Sequence, residues 1–150
     1  MAAHDLSRLL RPRNIAVVGG GAWCVAIIEQ CRKIGFTGNI WPVHPRNETV
    51  AGLKAYRDVH ALPVAPDACF VGVNRAATID IVQVLSDRNA GGAVCFASGF
   101  LEAQQEAADG ADLQSQLLHA AGDMPILGPN CYGFINYLDG ALLWPDQHGG

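Results

Sequence analysis

No lysine or arginine follows Arg88. All ten cations of the 150-residue chain lie at or before that position, whereas Asn89 to Gly150 carries Glu102, Glu106, Asp109, Asp112, Asp123, Asp139 and Asp146. With a formal net charge of −4, the chain lacks the basic footprint that nucleic acid or an anionic membrane surface requires. An anionic ligand group therefore belongs on structure built by the first half. No cysteines are spaced C-x-x-C: the five, at 24, 31, 69, 95 and 131, are odd in number and mostly sit in apolar runs. That describes free thiols in a reducing compartment rather than a disulfide frame. The histidines, cysteines and carboxylates show no metal-ligand spacing, so no metal is expected. No apolar run reaches the roughly 20 residues of a membrane span. Arg8, Arg11 and Arg13 ahead of Ile15–Ile28 have the outline of a secretory leader, but three glycines interrupt it and no small-residue cleavage site follows. The expected address is cytoplasmic. Repeats and low-complexity segments are missing too, and the length fits one domain, 1–150.

What is present is organised around Asn14-Ile15-Ala16-Val17-Val18-Gly19-Gly20-Gly21-Ala22, a short β-branched run ending in three glycines before helical spacing begins. It reads as strand, loop, helix. Glycines let the backbone N–H groups at a helix N-terminus approach a phosphate, where the helix dipole also favours an anion. The spacing is not G-x-G-x-x-G, and a tight turn without ligand is the alternative. Apolar positions 24, 27, 28, 31 and 34 follow the helical period up to Gly35. A second strand is expected at Asn39–Val43, where Pro42 and Pro45 turn the chain away. A weak helical segment follows at Tyr56–Ala61. Further strands are expected at Ala68–Val73, Ala93–Ala97 and Pro125–Leu127, with helices at Arg75–Asn89 and Leu101–Ala121. Five strands alternating with helices give an α/β fold, a doubly wound parallel five-stranded sheet of Rossmann-like type, expected in the order 3-2-1-4-5.

Ligands of such sheets bind beyond the carboxyl ends of the strands. That rule selects the exit loops: Gly19, Gly20, Gly21, Ala22 and Trp23; Val43, His44, Pro45 and Arg46; Val73, Asn74 and Arg75; Ala97, Ser98 and Gly99; and Pro129, Asn130 and Cys131. An NAD site usually has a carboxylate after its second strand, and Val43-His44-Pro45-Arg46 offers none. Arg46 instead suits a ribose-attached phosphate, as in coenzyme A or NADP, or is a solvated loop residue. Arg75 is a second cation or a surface cap. Ser98 bonds an amide or phosphate, or makes a plain turn; Asn130 bonds a ligand amide or caps a turn. Cys131 has no paired base in view, so a thiol packed near the ligand is expected, and no catalytic residue is assigned.

Four pieces carry a family resemblance: Leu9-Leu10-Arg11-Pro12-Arg13-Asn14-Ile15-Ala16-Val17-Val18-Gly19; Pro42-Val43-His44-Pro45-Arg46 with Val50-Ala51-Gly52-Leu53; Ala97-Ser98-Gly99-Phe100; and Leu127-Gly128-Pro129-Asn130-Cys131-Tyr132-Gly133-Phe134-Ile135-Asn136. The chain resembles the CoA-binding domain of the succinyl-CoA synthetase α-subunit and of NDP-forming acyl-CoA synthetases. The resemblance implies CoA over the strand ends, with adenosine and 3′-phosphate near Val43 to Arg46. The diphosphate would lie at residues 19–23 and the pantetheine would run toward Ser98 and Asn130. It implies a ligase in which CoA's thiol meets an acyl phosphate made elsewhere. NTP, Mg²⁺, a phosphorylated histidine and an ATP-grasp partner would belong to the remainder of that enzyme, so the 150 residues alone are not expected to turn over. The glycine loop is shorter than the family's, which brings Trp23 into space left there for ligand. A non-catalytic module that binds CoA, acyl-CoA or NADP and regulates a partner is the alternative.

Overall fold

The computed structural model describes residues 6–95, 115–127, 134–136 and 141–143. In chain order the elements are α1 (Ser7–Leu10), β1 (Asn14–Val18), α2 (Ala22–Ile34), β2 (Asn39–Val43), β3 (Thr49–Val50), β4 (Leu53–Lys54), a 3-10 turn at Val59–Ala61, β5 (Ala68–Val71), α3 (Arg75–Asp87), β6 (Ala93–Cys95), helical residues 115–121, β7 (Ile126–Leu127), β8 (Phe134–Asn136) and β9 (Ala141–Leu143). β1 is apolar from Ile15 onward because both its faces are covered. Ile15 and Val17 join Phe70 and Val94 against Leu9 of α1 and Cys24, Ile27, Ile28 and Cys31 of α2. Ala16 and Val18 join Cys69, Val71 and Cys95 against Val59, Leu62, Val82, Leu85 and Leu117. The 3.6-residue stripe of α2 thus meets the two-residue alternation of the strands. Gly35, at φ 86°, closes α2 by donating to the carbonyls of Arg32 and Cys31.

The five-stranded sheet is parallel and doubly wound, as expected, but its order is β2-β1-β5-β6-β7. Counted by strands of this sheet that is 2-1-3-4-5, which corrects 3-2-1-4-5. Pro42 gives the physical reason. A proline has no N–H to donate to a second neighbour, so a strand containing one suits a sheet edge and not its interior. The expected order would have buried β2 between two strands. Its outer side instead meets a single bridge, Val43 to Tyr56, in which Tyr56 N–H donates to Pro42 O and His44 N–H donates to Tyr56 O. The switch point therefore falls between β1 and β5, beside the exit loop of the third strand and not of the fourth.

Two smaller pairings were not foreseen. β3 and β4 form a hairpin whose two-residue turn, Ala51-Gly52, has φ of 52° and 81° and so matches the left-handed turn that suits strand twist. β8 and β9 form a second antiparallel pair, with Leu143 buried on the α2 side. Other differences are of extent. The third strand ends at Val71 and not Val73, and the segment read as weakly helical from Tyr56 is a 3-10 turn starting at Val59. Gly122, at φ 56°, follows helical residues 115–121. The remainder of the expected helix from Leu101 and the end of the fourth strand, Ala97 included, lie outside the described residues.

At the opposite end of the sheet, Asp67 ties three segments together. Arg8 Nε donates to its Oδ1 at 2.8 Å, and the Arg13 and Asn14 N–H groups donate to Oδ2 at 2.9 and 3.1 Å. Burial alone would raise the carboxyl's pKa, but the Arg8 hydrogen bond, the two amides and the Arg8 charge together outweigh it and hold the value below normal. A depressed carboxyl contributes stability that is present above the unfolded-state pKa, near 3.9, and is lost as pH falls through the lower folded value. Asp67→Asn is expected to destabilise the fold by about 1–2 kcal/mol at neutral pH, the scale of a partly buried charge-assisted bond. Urea titrations should show the difference from wild type shrinking below pH 4; an undiminished difference would contradict this role.

Candidate functional site

Gly19 leaves β1 at φ 124°, a conformation that side chains rarely adopt. A Cβ there would stand 2.8 Å from Gly72 O and 2.9 Å from Cys24 Sγ, and one on Gly72 would stand 2.9 Å from the same sulfur. The exits of β1 and β5 thus meet backbone to backbone over the Cys24 thiol, which hydrogen-bonds to Val18 O. Burial pushes the Cys24 pKa up to about 11 despite an opposing backbone bond at Gly21. The thiol is therefore protonated at neutral pH and serves as packing.

Beyond Gly19 the loop opens. Gly21 is the N-cap of α2 and makes no side-chain cap hydrogen bond, while its carbonyl accepts from the Cys24 and Val25 N–H groups at 3.1 Å. α3 differs: Asn74 caps it, Oδ1 accepting from Ala77 N–H at 2.8 Å, and Thr78 Oγ1 donates to Asn74 O. Of the two helix starts beside the switch point, that of α2 lacks a side-chain cap and that of α3 has one, so the α2 start is the better suited to an anion. The His44 ring lies against Gly20, where a Cβ would come within 2.6 Å of Cδ2. Its Nδ1 accepts from the N–H groups of Arg46 and Asn47 at 3.0 and 2.9 Å, so the proton of the neutral ring sits on Nε2.

These pieces enclose a cavity of about 420 Å³ over the ends of β1, β2 and β5. Val18, Val43, Val59, Val73, Ala77 and Ile81 make its apolar wall, and the Gly19, Gly20 and Gly72 backbones form another side. His44, Arg57 and Asp58 supply its polar groups. The mixture suits a flat apolar ring carrying a few hydrogen-bonding groups and an anion. Among the described residues no cluster of His, Cys, Asp or Glu could hold a metal, and no helix is long and apolar enough to cross a membrane.

Of the sequence candidates, Gly19, Gly20, Val43, His44, Pro45 and Val73 line this cavity. Gly21, Ala22 and Trp23, at the start of α2, are not part of its lining, Trp23 being 42% exposed. Arg46 is exposed and outside the lining, and Asn74 is committed to its cap. Arg75 begins α3, and its side chain lies outside what is described. Ala97, Ser98, Gly99, Pro129, Asn130 and Cys131 lie outside the described residues. Gly72, Arg57, Asp58, Val59, Ala77 and Ile81 were not foreseen. The one signal for Gly72 was its place after an apolar strand, and the wrong strand order hid its importance.

A doubly wound sheet with a glycine loop leading into a helix beside an apolar cleft at its switch point defines a nucleotide-binding class of domain. Within that class the chain belongs to the CoA binding domain family, whose model matches residues 13–137. It is 35% identical over 140 residues to a trans-feruloyl-CoA synthase from an unknown prokaryotic organism, spanning 91% of this chain and 20% of that protein. It is 28% identical over 136 residues to a 4-hydroxybutyrate–CoA ligase (ADP-forming) of Nitrosopumilus maritimus, spanning 87% and 19%. The solved structure of a dinucleotide-forming acetyl-coenzyme A synthetase from Ca. Korarchaeum cryptofilum superposes with TM-score 0.81 at 27% identity, over 91% of this chain and 30% of that one. The chain thus spans about a fifth of the length of these two relatives.

The glycine loop makes a direct stability prediction. Gly19→Ala combines an unfavourable φ with overlap on Gly72 O and is expected to destabilise by roughly 2–4 kcal/mol. Gly21→Ala, with nothing within 4 Å of its new Cβ, should change stability by about 1 kcal/mol or less. Equal effects of the two in urea denaturation would contradict the Gly19–Gly72 contact.

Proposed function

We propose that this chain is the CoA-holding domain of an NDP-forming acyl-CoA synthetase. The observation that carries the reading is the apolar cavity over the strand ends at the switch point, lined by the Gly19 and Gly20 backbone that leads into α2, in a chain of the CoA binding domain family. Adenosine occupies the cavity against Val59, Ala77 and Ile81, and the diphosphate accepts from the N–H groups of Gly20, Gly21 and Ala22. The family resemblance extends the pantetheine arm toward Ser98 and Asn130, which lie outside the described residues.

In the full reaction the CoA sulfur attacks the carbonyl carbon of an acyl phosphate. A C–S bond forms, the C–O bond to phosphorus breaks, and the thiol proton passes to the departing phosphate. This chain's part is to bind and orient the thiol carrier, with proximity as its catalytic contribution. The acyl phosphate, the NTP and its Mg²⁺ are supplied by an ATP-grasp domain or subunit of the same enzyme. Support for that context comes from the relatives' names and from their greater length.

Isothermal titration of the chain with CoA, NADP and NAD tests the ligand. CoA is expected to bind most tightly, because the loop that leaves β2, Val43-His44-Pro45-Arg46, carries a cation and no carboxylate to hold a bare ribose diol. NAD binding as tight as CoA would overturn the assignment.

A further inference from the structure

We propose that Arg57 is the specificity residue that reads the phosphate on the ligand's ribose, the Pro45 carbonyl holding its guanidinium in place. The proposal deepens the CoA reading above and rests on it. Three observations lead to it. Arg57 is the one cation among the described side chains lining the strand-end cavity, and the neighbouring Arg46 is not part of that lining. Arg57 Nη1 donates to Pro45 O at 2.8 Å, which anchors a normally mobile side chain on the loop leaving β2. Its remaining N–H donors form the planar fork that matches two phosphate oxygens at once.

The backbone around Arg57 is anchored as well. Tyr56, immediately before it, donates to Pro42 O at 2.9 Å and accepts from His44 N–H at 2.8 Å, so the guanidinium's root is stitched to the edge strand. Asp58, immediately after it, spends Oδ1 on Ala61 N–H at 3.1 Å as the cap of the 3-10 turn. With Oδ1 so committed, Asp58 leaves Arg57 as the group of this corner that attracts a phosphate. An ordered cation beside an apolar pocket discriminates ligands by one phosphate. Arg46 and Arg57 are both exposed; Arg57 contributes more because its guanidinium is already held by the Pro45 carbonyl, so less side-chain freedom is lost on binding.

A phosphate on ribose occurs in CoA and in NADP, and two ligand pairs separate the sources: CoA with dephospho-CoA, and NADP with NAD. Wild type, Arg57→Ala, Arg57→Lys and Arg46→Ala are each titrated with all four. Arg57→Ala is expected to weaken CoA roughly 5- to 150-fold, the range for losing a hydrogen bond to a charged group, and to leave dephospho-CoA within about twofold. Arg57→Lys should recover part of the loss, keeping charge without the fork. Arg46→Ala should leave the CoA to dephospho-CoA ratio near that of wild type. An unchanged ratio in Arg57→Ala overturns the proposal while the CoA reading stands. So does equal weakening of both ligands, which would make Arg57 a loop brace, or loss of the ratio in Arg46→Ala alone. If wild type discriminates NADP from NAD through Arg57 but binds CoA no better than dephospho-CoA, the phosphate reader stands and the CoA reading falls.

Discussion

Gly19 and Gly72 meet with no Cβ between them, and the geometry of the strand-end site depends on that contact. Any side chain on either residue would push β1 and β5 apart at their carboxyl ends, where Cys24 Sγ already fills the space beneath. Because the strands stay close there, α2 can start immediately after the glycine loop, with Gly21 as its N-cap. A thiol suits the floor position: it is small, it bonds the Val18 carbonyl, and burial keeps it protonated.

Charge is divided between the two ends of the sheet. Arg46 and Arg57 stand at the carboxyl ends near the cavity, whereas Arg8 and Arg13 stand at the amino ends, where Arg8 pairs with Asp67 and the Arg13 amide bonds the same carboxylate. Arg8 thus anchors the α1 segment at one end of the sheet, while Arg57 lines the cavity at the other. The apolar wall needs residues from β1, β2, the 3-10 turn and α3, so it forms only after the crossover from β2 to β5 is complete.

Much of this was legible in the chain. The run Ile15–Val18 announced a strand covered on both faces, the 24, 27, 28, 31 spacing announced α2, and the glycines located its start. Strand order was harder, because right-handed crossovers permit either arrangement and the segment between β2 and β5 holds no long helix to mark its path. Pro42 carried the answer: a strand with a missing donor belongs at an edge. It was read as a breaker instead, and the misplacement hid Gly72 and the residues of the 3-10 turn. Arg57 was illegible for a related reason. Its role comes from a carbonyl twelve residues earlier in the chain, a pairing that no local pattern records. His44 was picked for its place after β2, but its actual part, an imidazole gathering two loop amides against Gly20, depends on tertiary packing.

The most direct measurement of the central claim is amide-resolved NMR of the ¹⁵N-labelled chain during titration with CoA. A ligand seated on the Gly19–Gly72 contact with its diphosphate at α2 should shift the amides of Gly20, Gly21 and Ala22 together with those of Gly72, Val73 and Ala77, and leave Arg8, Arg13 and Asp67 unmoved. Shifts concentrated at the Asp67 end of the sheet, with the glycine loop silent, would contradict it.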